Sequence, residues 1–479
     1  MGTYPYSSTH LERFSVGLNG YVDRVDIGNK YNKNDWLLGR FGNLGLWIEG
    51  EGRREEQGRA REPCGVCLPL PPAKRRFCTP MARVIHCILN NLVYEQRLHK
   101  IALTFSKEHQ VEVVGVVTPA TRVPLSKRPY AARRLFVPVK RGPFFFLWAN
   151  VRFFFYLLFR RKWDAVVACD LDVLPACWLA ATLRRKQLLL DSRELYTQTS
   201  LVQRKPFSQK IWALAERFLY PRVSYILAVS PPIASYFSKR YEKPVWVIYN
   251  LPLKGGKFAN PRLENRLLLY QGMLHPDRGL EELILALTYA SEWKLWIVGD
   301  GPLRPYLEKL ASQQGLEQRV QFLGLVPFEV LSGYTERATF GVSGEVPRSL
   351  NHRFALPNKA FDYLQQGVPI LVGEAPLLQA IVRHYGCGYV VPSWQPKEIA
   401  RALEELGRSY SAYAGWVEGA RTAARELHWE RQEPCLQGWL QYALARRRLP
   451  PQSAERACDP VVSLSQLYGA IESELVPSR

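Results

Sequence analysis

The fold class is decided by residues 83–117, RVIHCILNNLVYEQRLHKIALTFSKEHQVEVVGVV, where an alternating pattern begins. Residues 83–89 predict a short apolar strand, residues 96–107 a helix, and residues 111–117 a second apolar strand. Apolar strands that alternate with helices form parallel sheets covered on both faces. This stretch therefore predicts an α/β fold.

The same alternation continues in two blocks. Further strands are predicted at 165–169, 187–190, 225–229 and 245–249, and then at 266–270, 294–298, 320–323, 339–342 and 369–372. We expect two Rossmann-like, doubly wound domains, at 81–250 and 251–425, with a closing helix at 426–446 and a tail at 447–479. Such domains would place a ligand cleft between them, at the carboxyl ends of the strands.

The first 80 residues differ from the rest. They hold 11 of the 33 glycines and show no sustained period, so we expect a poorly structured leader that need not belong to the fold. Cys64-Gly-Val-Cys67 has the spacing of half a zinc site, but no second pair completes it.

The composition of the 479 residues is ordinary for a globular protein, except for a formal charge of +21. Residues 81–168 carry 15 basic and 4 acidic side chains and so hold about half of this excess. The excess predicts an acidic partner: nucleic acid, anionic lipid or a phosphorylated ligand. Nine scattered cysteines and no secretory pattern predict a reducing, cytoplasmic compartment.

Two loops carry candidate chemistry. Residues 271–279 follow a predicted strand, where Gly272 permits a tight turn and Arg278 suits phosphate, although an ordinary βα loop would have the same composition. In residues 355–369, Pro357 begins a helix whose amides could bind an anion, with Lys359 as a mobile charge and Asp362 one turn further on.

Several short blocks follow one another in a fixed order along the chain: 91–100 (NLVYEQRLHK), 191–196 (DSRELY), 228–230 (AVS), 247–250 (VIYN), 271–279, 319–326 (RVQFLGLV) and 355–369. Together these blocks resemble glycosyltransferase family 4, a family of retaining enzymes with the GT-B fold, and the similarity covers about residues 81–445.

This resemblance implies transfer of a hexose from a nucleotide-diphosphate sugar to an acceptor, without metal or cofactor. It places Arg278 and Lys359 on the leaving diphosphate and Asp362 on the ribose. The wider donor site would comprise Gly272, Gly324, Leu325, Val326, Ala355, Leu356, Pro357 and Asn358, and the acceptor side Asn91, Arg97, Arg193 and Glu194.

The chain departs from the family at three positions. Phe354 stands where the first of two family glutamates is expected, Met273 where an arginine is common, and Arg193 where a histidine is common. Asp170-Leu-Asp172 mimics a metal-binding pair, but it ends a predicted strand, and the histidines lack ligand spacing; we predict no catalytic metal.

Residues 139–162 combine basic and aromatic side chains. The apolar run of 17 residues is interrupted by Arg152 and is shorter than the ~20 residues of a membrane span. A buried helix is one interpretation; an interfacial helix on anionic lipid is the other. We expect the second, with the protein peripheral on the inner face of the cytoplasmic membrane and a membrane-linked glycan or lipid as acceptor. The membrane-facing residues would be Phe144, Phe145, Trp148, Arg152, Phe155, Arg160, Arg161 and Lys162.

Two alternatives stay open from the sequence. A GT-B sugar epimerase would act on the nucleotide sugar without an acceptor. A non-enzymatic protein could bind nucleic acid or membrane through the basic region, although no nucleic-acid-binding motif accompanies it, and we expect no nucleic-acid partner.

Overall fold

The computed structural model describes residues 81–447, apart from 122, 141, 204, 256–257, 261, 327 and 355. The predicted leader, the predicted tail beyond 447 and the candidate residue Ala355 therefore lie outside the described residues. Both sheets belong to one compact unit.

The amino-terminal sheet has seven parallel strands in the order β3-β2-β1-β4-β5-β6-β7. The strands are β1 (Arg83–Ile88), β2 (Gln110–Val117), β3 (Ala131–Phe136), β4 (Ala165–Cys169), β5 (Gln187–Ser192), β6 (Tyr225–Ala228) and β7 (Val245–Val247). The strand order reverses between β1 and β4, which is where ligands bind in doubly wound sheets.

The carboxyl-terminal sheet has six parallel strands in the order β10-β9-β8-β11-β12-β13. They are β8 (Leu267–Gln271), β9 (Lys294–Val298), β10 (Val320–Gly324), β11 (Phe340–Ser343), β12 (Ile370–Val372) and β13 (Gly388–Val390). Here the order reverses between β8 and β11. The structure thus confirms two Rossmann-like α/β domains.

Helices connect the strands, and many begin with proline in the first turn, where a missing amide hydrogen costs nothing. The amino-terminal domain contains α1 (Gln96–Ser106), α2 (Pro143–Phe159), α3 (Leu174–Arg184), α4 (Ser200–Gln203), α5 (Pro206–Leu219) and α6 (Pro231–Tyr241). After β8 come α7 (Leu280–Ala286), α8 (Arg304–Gln313), α9 (Phe328–Thr335), α10 (Leu350–Arg353), α11 (Asn358–Gln365), α12 (Pro376–Tyr385), α13 (Pro396–Leu406), α14 (Tyr410–Glu426) and α15 (Glu433–Leu444).

The closing helix differs from the expectation. Helical residues near the carboxyl end were predicted to complete the second domain, but α15 returns to the first. Trp439 and Leu440 pack in the same core cluster as α1 and the amino-terminal sheet. Glu433 accepts a hydrogen bond from Thr104 Oγ1 at 3.0 Å, which fixes this return.

Candidate functional site

A buried carboxylate joins two cations at the switch point of the carboxyl-terminal sheet. Glu345 follows β11, and its Oε1 lies 2.6 Å from Lys359 Nζ and 3.5 Å from an Arg278 guanidinium nitrogen. Arg278 comes from the loop after β8, and Lys359 from the first turn of α11. Three segments distant in sequence therefore converge at the carboxyl ends of neighbouring strands.

Lys359 is not the mobile surface charge that the sequence suggested. Its side chain is 9% exposed, and Nζ lies 4.0 Å from the centre of the Tyr270 ring. This stacking and the Glu345 pair fix the ammonium group beside the first turn of α11. Arg278 is more accessible, with 34% of its side chain exposed.

Glu345 is a residue that the sequence reasoning missed. Burial opposes its ionisation, but Lys359 and Arg278 outweigh that effect, and the pKa of this carboxyl lies below its ordinary value. Ser343 Oγ donates to Glu345 Oε2 at 2.6 Å. A Cβ on the intervening Gly344 would lie 2.1 Å from the Trp394 ring, so only glycine fits there. The available signal was a single carboxylate three residues beyond the predicted strand at 339–342.

Asp362 lies one turn further along α11 than Lys359 and is partly buried. Gln271 Nε2 donates to its Oδ2 at 3.2 Å. Burial raises the pKa of Asp362 to about 6, against the opposing effects of Lys100 and the Gln271 hydrogen bond. Burial also lowers the pKa of Lys100, on α1 of the other domain, to about 8. The two domains thus interact electrostatically through a lysine that the sequence did not single out.

The loops beside this cluster are packed backbone to backbone. Gly272 N donates to Val298 O at 2.9 Å, and Gly299 N donates to Gly324 O at 2.8 Å. A Cβ on Gly299 would lie 1.8 Å from Gly272 O. These glycines bring the ends of β8, β9 and β10 together.

The other candidate donor residues border this edge. Leu325 is exposed and Val326 is partly buried. Leu356 and Pro357 are partly buried, Pro357 immediately precedes α11, and Asn358 is exposed in its first turn.

On the amino-terminal side, two candidates have structural partners. Arg97 is buried and donates to both oxygens of Asp191 and, at 2.7 Å, to Ile248 O. Asn91 caps the turn 92–94 and donates to Thr121 O at 2.7 Å. Both side chains are thus engaged in hydrogen bonds within the amino-terminal domain, so Arg97 and Asn91 support the structure of the cleft.

Arg193 and Glu194 lie closer to the second domain. Arg193 pairs with Glu95 at 2.6 Å, and its backbone amide donates to Asp170 at 2.7 Å. Burial raises the pKa of Glu194, although Arg193 and a hydrogen bond from Asn351 oppose that shift. Asn351 belongs to α10, so Glu194 contacts the carboxyl-terminal domain.

Asp170 and Asp172, the pair that mimics a metal motif, lie nearby. Burial raises the pKa of Asp172 to about 7, with Glu194 adding to the shift. Over the described part of the chain, no group of three or more His, Cys, Asp or Glu side chains is arranged to hold a metal ion.

Two family models match consecutive parts of the chain. "Glycosyltransferase Family 4" matches residues 95–251, and "Glycosyl transferases group 1" matches residues 257–423. Their boundary falls between the two sheets. The chain belongs to the GT-B glycosyltransferases of the family 4 type.

Relatives of this glycosyltransferase-family chain are distant. An uncharacterized glycosyltransferase of Methanocaldococcus jannaschii is 30% identical over 146 residues, which are 30% of this chain and 36% of that protein. Alpha-D-kanosaminyltransferase of Streptomyces kanamyceticus is 26% identical over 29% of this chain and 36% of its own length. The chain therefore spans about a third of the length of these relatives.

Solved GT-B structures match more of the chain. Anabaena HepE, determined with UDP and glucose, is 16% identical with a TM-score of 0.59 and covers 76% of this chain and 99% of its own. Sucrose-phosphate synthase from Thermosynechococcus elongatus is 17% identical with a TM-score of 0.61 and covers 76% and 100%. At these identities the likeness supports the fold.

The aromatic helix α2 of this GT-B chain has an exposed side. Phe144 is 74% exposed, Trp148 48% and Phe155 49%, whereas Phe145 packs partly against the core. Arg152, Arg160, Arg161 and Lys162 are exposed, and Arg160 also pairs with Glu112 at 2.9 Å. Among the described helices, none is both long and apolar enough to cross a membrane.

Proposed function

We propose that the protein is a retaining glycosyltransferase that moves a hexose from a nucleotide-diphosphate sugar to an acceptor hydroxyl. The observation that carries this proposal is the placement of Arg278 and Lys359 around Glu345 at the switch point. The similar fold of HepE, whose structure was determined in complex with UDP and glucose, supports a donor of this class.

The leaving diphosphate would bind between Arg278 and the first turn of α11. Glu345 neutralises one of the two cations, so the pair keeps a net positive charge and a fixed geometry before the donor arrives. Such preorganised charge stabilises a transition state in which negative charge develops on the phosphate. The positive end of the α11 dipole adds to it.

The proposed sugar transfer needs no metal ion. The bond between the anomeric carbon and the diphosphate oxygen breaks, and its electron pair goes to that oxygen. The acceptor oxygen bonds to the same face of the carbon and passes its proton to the departing phosphate. Arg278 and Lys359 supply the charge that a divalent cation would otherwise supply.

Two further contacts would orient the donor. The Asp362 carboxylate would accept hydrogen bonds from the ribose, and residues Gly324, Leu325 and Val326 would border the base. On the opposite wall, Arg193 and Glu194 would face the sugar or the acceptor, because they lie beside Asn351 at the domain contact.

The acceptor is proposed to be a membrane-linked glycan or lipid, reached by peripheral docking on the inner face of the cytoplasmic membrane. The exposed aromatic side of α2 and its basic flank support this placement. A similarity to the lipopolysaccharide core biosynthesis glycosyltransferase LpsD of Rhizobium meliloti, 23% identical over 39% of this chain and 54% of that protein, agrees with such an acceptor.

The test begins with a thermal-shift screen of UDP-, GDP- and other nucleotide sugars in the presence of EDTA. The best binder is then incubated with lipid-linked acceptors, and the product anomer is assigned by NMR. Transfer with retained configuration in EDTA is expected. Inversion at the anomeric carbon, strict dependence on added metal, or epimerisation without transfer would each contradict the proposal.

A further inference from the structure

Three helices form one layer on the same face of the amino-terminal sheet, and their outer side is apolar. Phe146 of α2 contacts Trp212 of α5 with ring centres 5.3 Å apart, and Trp178 of α3 contacts Phe218 of α5 at 5.4 Å. The layer therefore extends well beyond the α2 segment that the sequence singled out. Its exposed large apolar side chains are Phe144, Leu147, Trp148, Val151, Phe155, Phe159, Leu179, Leu183, Phe207, Ile211, Leu214 and Phe218.

The exposed charged side chains of α2, α3 and α5 are all positive. Within α2, α3 and α5, all of them described, the one carboxylate is Glu216, which is buried and accepts hydrogen bonds from Thr197 and Tyr241. The exposed charges are cations, among them Arg152, Lys210 and Arg217. An apolar surface that also carries cations is complementary to an anionic membrane, because it can contact both the acyl chains and the negatively charged headgroups.

A basic pocket lies at the edge of the same layer. It has a volume of about 310 Å³ and is lined by four cations, Arg185, Lys186, Arg222 and Arg446, together with Trp178. Among the described residues, no carboxylate lines it. Lys186 has a carboxylate partner outside the pocket, Asp164, at 3.6 Å in an exposed pair. Four cations around one cavity suit a phosphate.

The pocket is continuous with the apolar layer. The Arg222 guanidinium stacks 3.6 Å from the centre of the Phe218 ring, and Phe218 contacts Trp178. Leu179 and Leu183, on the same helix as Trp178, are exposed beside it. A ligand phosphate in the pocket would thus have apolar side chains along one side.

The pocket is separate from the donor cleft. It includes Gln187, the first residue of β5, whereas the cleft residues Asp191 and Arg193 lie at or beyond the other end of that strand. A nucleotide bound at the carboxyl ends of the strands would not occupy it. The four cations of the pocket therefore indicate a binding site for an anionic ligand other than the nucleotide sugar.

We propose that this pocket binds the phosphate of an anionic phospholipid, while the apolar layer of α2, α3 and α5 contacts the acyl chains. The inference rests on the membrane docking proposed above and names the lipid that secures it. Phosphate recognition and apolar contact would together fix the orientation of the amino-terminal domain on the bilayer.

The first experiment is a calorimetric titration with dihexanoyl phosphatidylglycerol below its micelle concentration, which avoids surface electrostatics. Arg185→Gln/Arg446→Gln is compared with a matched pair outside the pocket, Lys205→Gln/Lys210→Gln. Binding by wild type is expected, with at least about tenfold loss in the pocket pair and little change in the control. No binding by wild type, or equal losses in the two pairs, would overturn the pocket assignment.

A second titration with glycerol phosphate distinguishes lipid from free phosphate. Binding about tenfold or more weaker than that of the short-chain lipid is expected, because the apolar contact is missing. Equal affinity would overturn the lipid assignment. Sugar-nucleotide hydrolysis by the pocket pair should equal that of wild type, since the pocket lies outside the donor cleft.

Sedimentation with phosphatidylcholine vesicles containing phosphatidylglycerol separates this inference from the docking proposal. Wild-type protein that binds the short-chain lipid but not vesicles would contradict docking and leave the pocket assigned. Equal vesicle binding by wild type and the pocket pair would contradict the pocket.

Discussion

Lys359 Nζ lies 2.6 Å from Glu345 Oε1, and both side chains are almost fully buried. A buried ion pair adds little net stability, because desolvation offsets the attraction, but removal of one partner leaves an uncompensated charge. The pair therefore couples the position of Lys359, the proposed phosphate-binding cation, to the integrity of the carboxyl-terminal domain.

Lys359→Ala and Arg278→Ala should differ in stability although both lower turnover. We expect each to reduce kcat by about 10²-fold, as for loss of one transition-state donor. Lys359→Ala should also lower the free energy of unfolding by about 3 kcal/mol, because Glu345 stays buried and keeps only the partly exposed Arg278, 3.5 Å away, as a cationic partner. Arg278 is partly exposed, so its removal should cost about 1 kcal/mol or less. Urea unfolding beside steady-state kinetics checks this; Lys359→Ala/Glu345→Ala should recover stability but not activity.

Donor affinity should decline in acid through Asp362. Burial raises the pKa of Asp362 to about 6, so the carboxylate proposed to accept hydrogen bonds from the ribose is ionised above that pH and protonated below it. The KM for the donor should rise as the pH falls from 7.5 to 5, and Asp362→Asn should remove this dependence.

Lys100 should determine the pH at which the KM for the donor begins to rise. Its positive charge lowers the pKa of Asp362, so in Lys100→Met the rise in KM should begin at a higher pH. Lys107→Met is the matched control, because Lys107 pairs with Glu433 on the surface of α15. An identical shift in both variants would argue against the electrostatic contact between the domains.

Phe354 should not be replaceable by the glutamate that the family resemblance suggests. The side chain is 1% exposed in the main apolar cluster, and its carbonyl accepts a hydrogen bond from Ser230 Oγ at 2.8 Å. Phe354→Glu would bury a charge without a partner and should cost about 3–5 kcal/mol. Phe354→Leu should cost about 1.5 kcal/mol or less. Thermal unfolding of the two variants measures the contrast, and a stable, more active Phe354→Glu protein would refute it.

His86 should make the fold sensitive to acid. It is fully buried in β1, and burial lowers its pKa to about 4. An unfolded chain binds a proton near pH 6.5 that the folded chain resists, so this contribution to stability is lost as pH falls through 6.5 towards 4. At pH 4.5 the loss is about 2–3 kcal/mol. The urea midpoints of wild type and His86→Leu at pH 7.5 and 4.5 test this; an equal acid loss in both would exclude His86 as its source.

Much of the fold could be predicted because its buried strands are continuous apolar runs. The strand at Lys294–Val298 was predicted to the residue. Strand β3 was not, because it lies at the edge of the sheet, where Leu135 is its one buried residue. The three-residue β13 is too short to show a period. The return of α15 to the first domain depends on tertiary packing that local sequence does not encode.

The candidate site was predictable where residues lie in a loop after a strand or in the first turns of a helix. Arg278 lies in the loop between β8 and α7, Lys359 and Asp362 lie among the first five residues of α11, and the structure places all three along one edge of the sheet. Glu345 pairs with Lys359 and Arg278, and Lys100 lowers the pKa of Asp362. Each partner is more than ten residues away along the chain, so no spacing rule connects it to Glu345 or Lys100. The exposed apolar side of α5 was also missed, because an amphipathic pattern does not reveal which face is covered.

The most direct test of the central claim is calorimetric binding of nucleoside diphosphates in EDTA to wild type, Arg278→Ala and the surface control Arg401→Ala, whose side chain is 74% exposed on α13. We predict that at least one nucleoside diphosphate binds wild type and the control equally and binds Arg278→Ala about tenfold or more weakly. Absence of binding to wild type, or equal binding to all three proteins, would contradict the assignment of this edge as the diphosphate site.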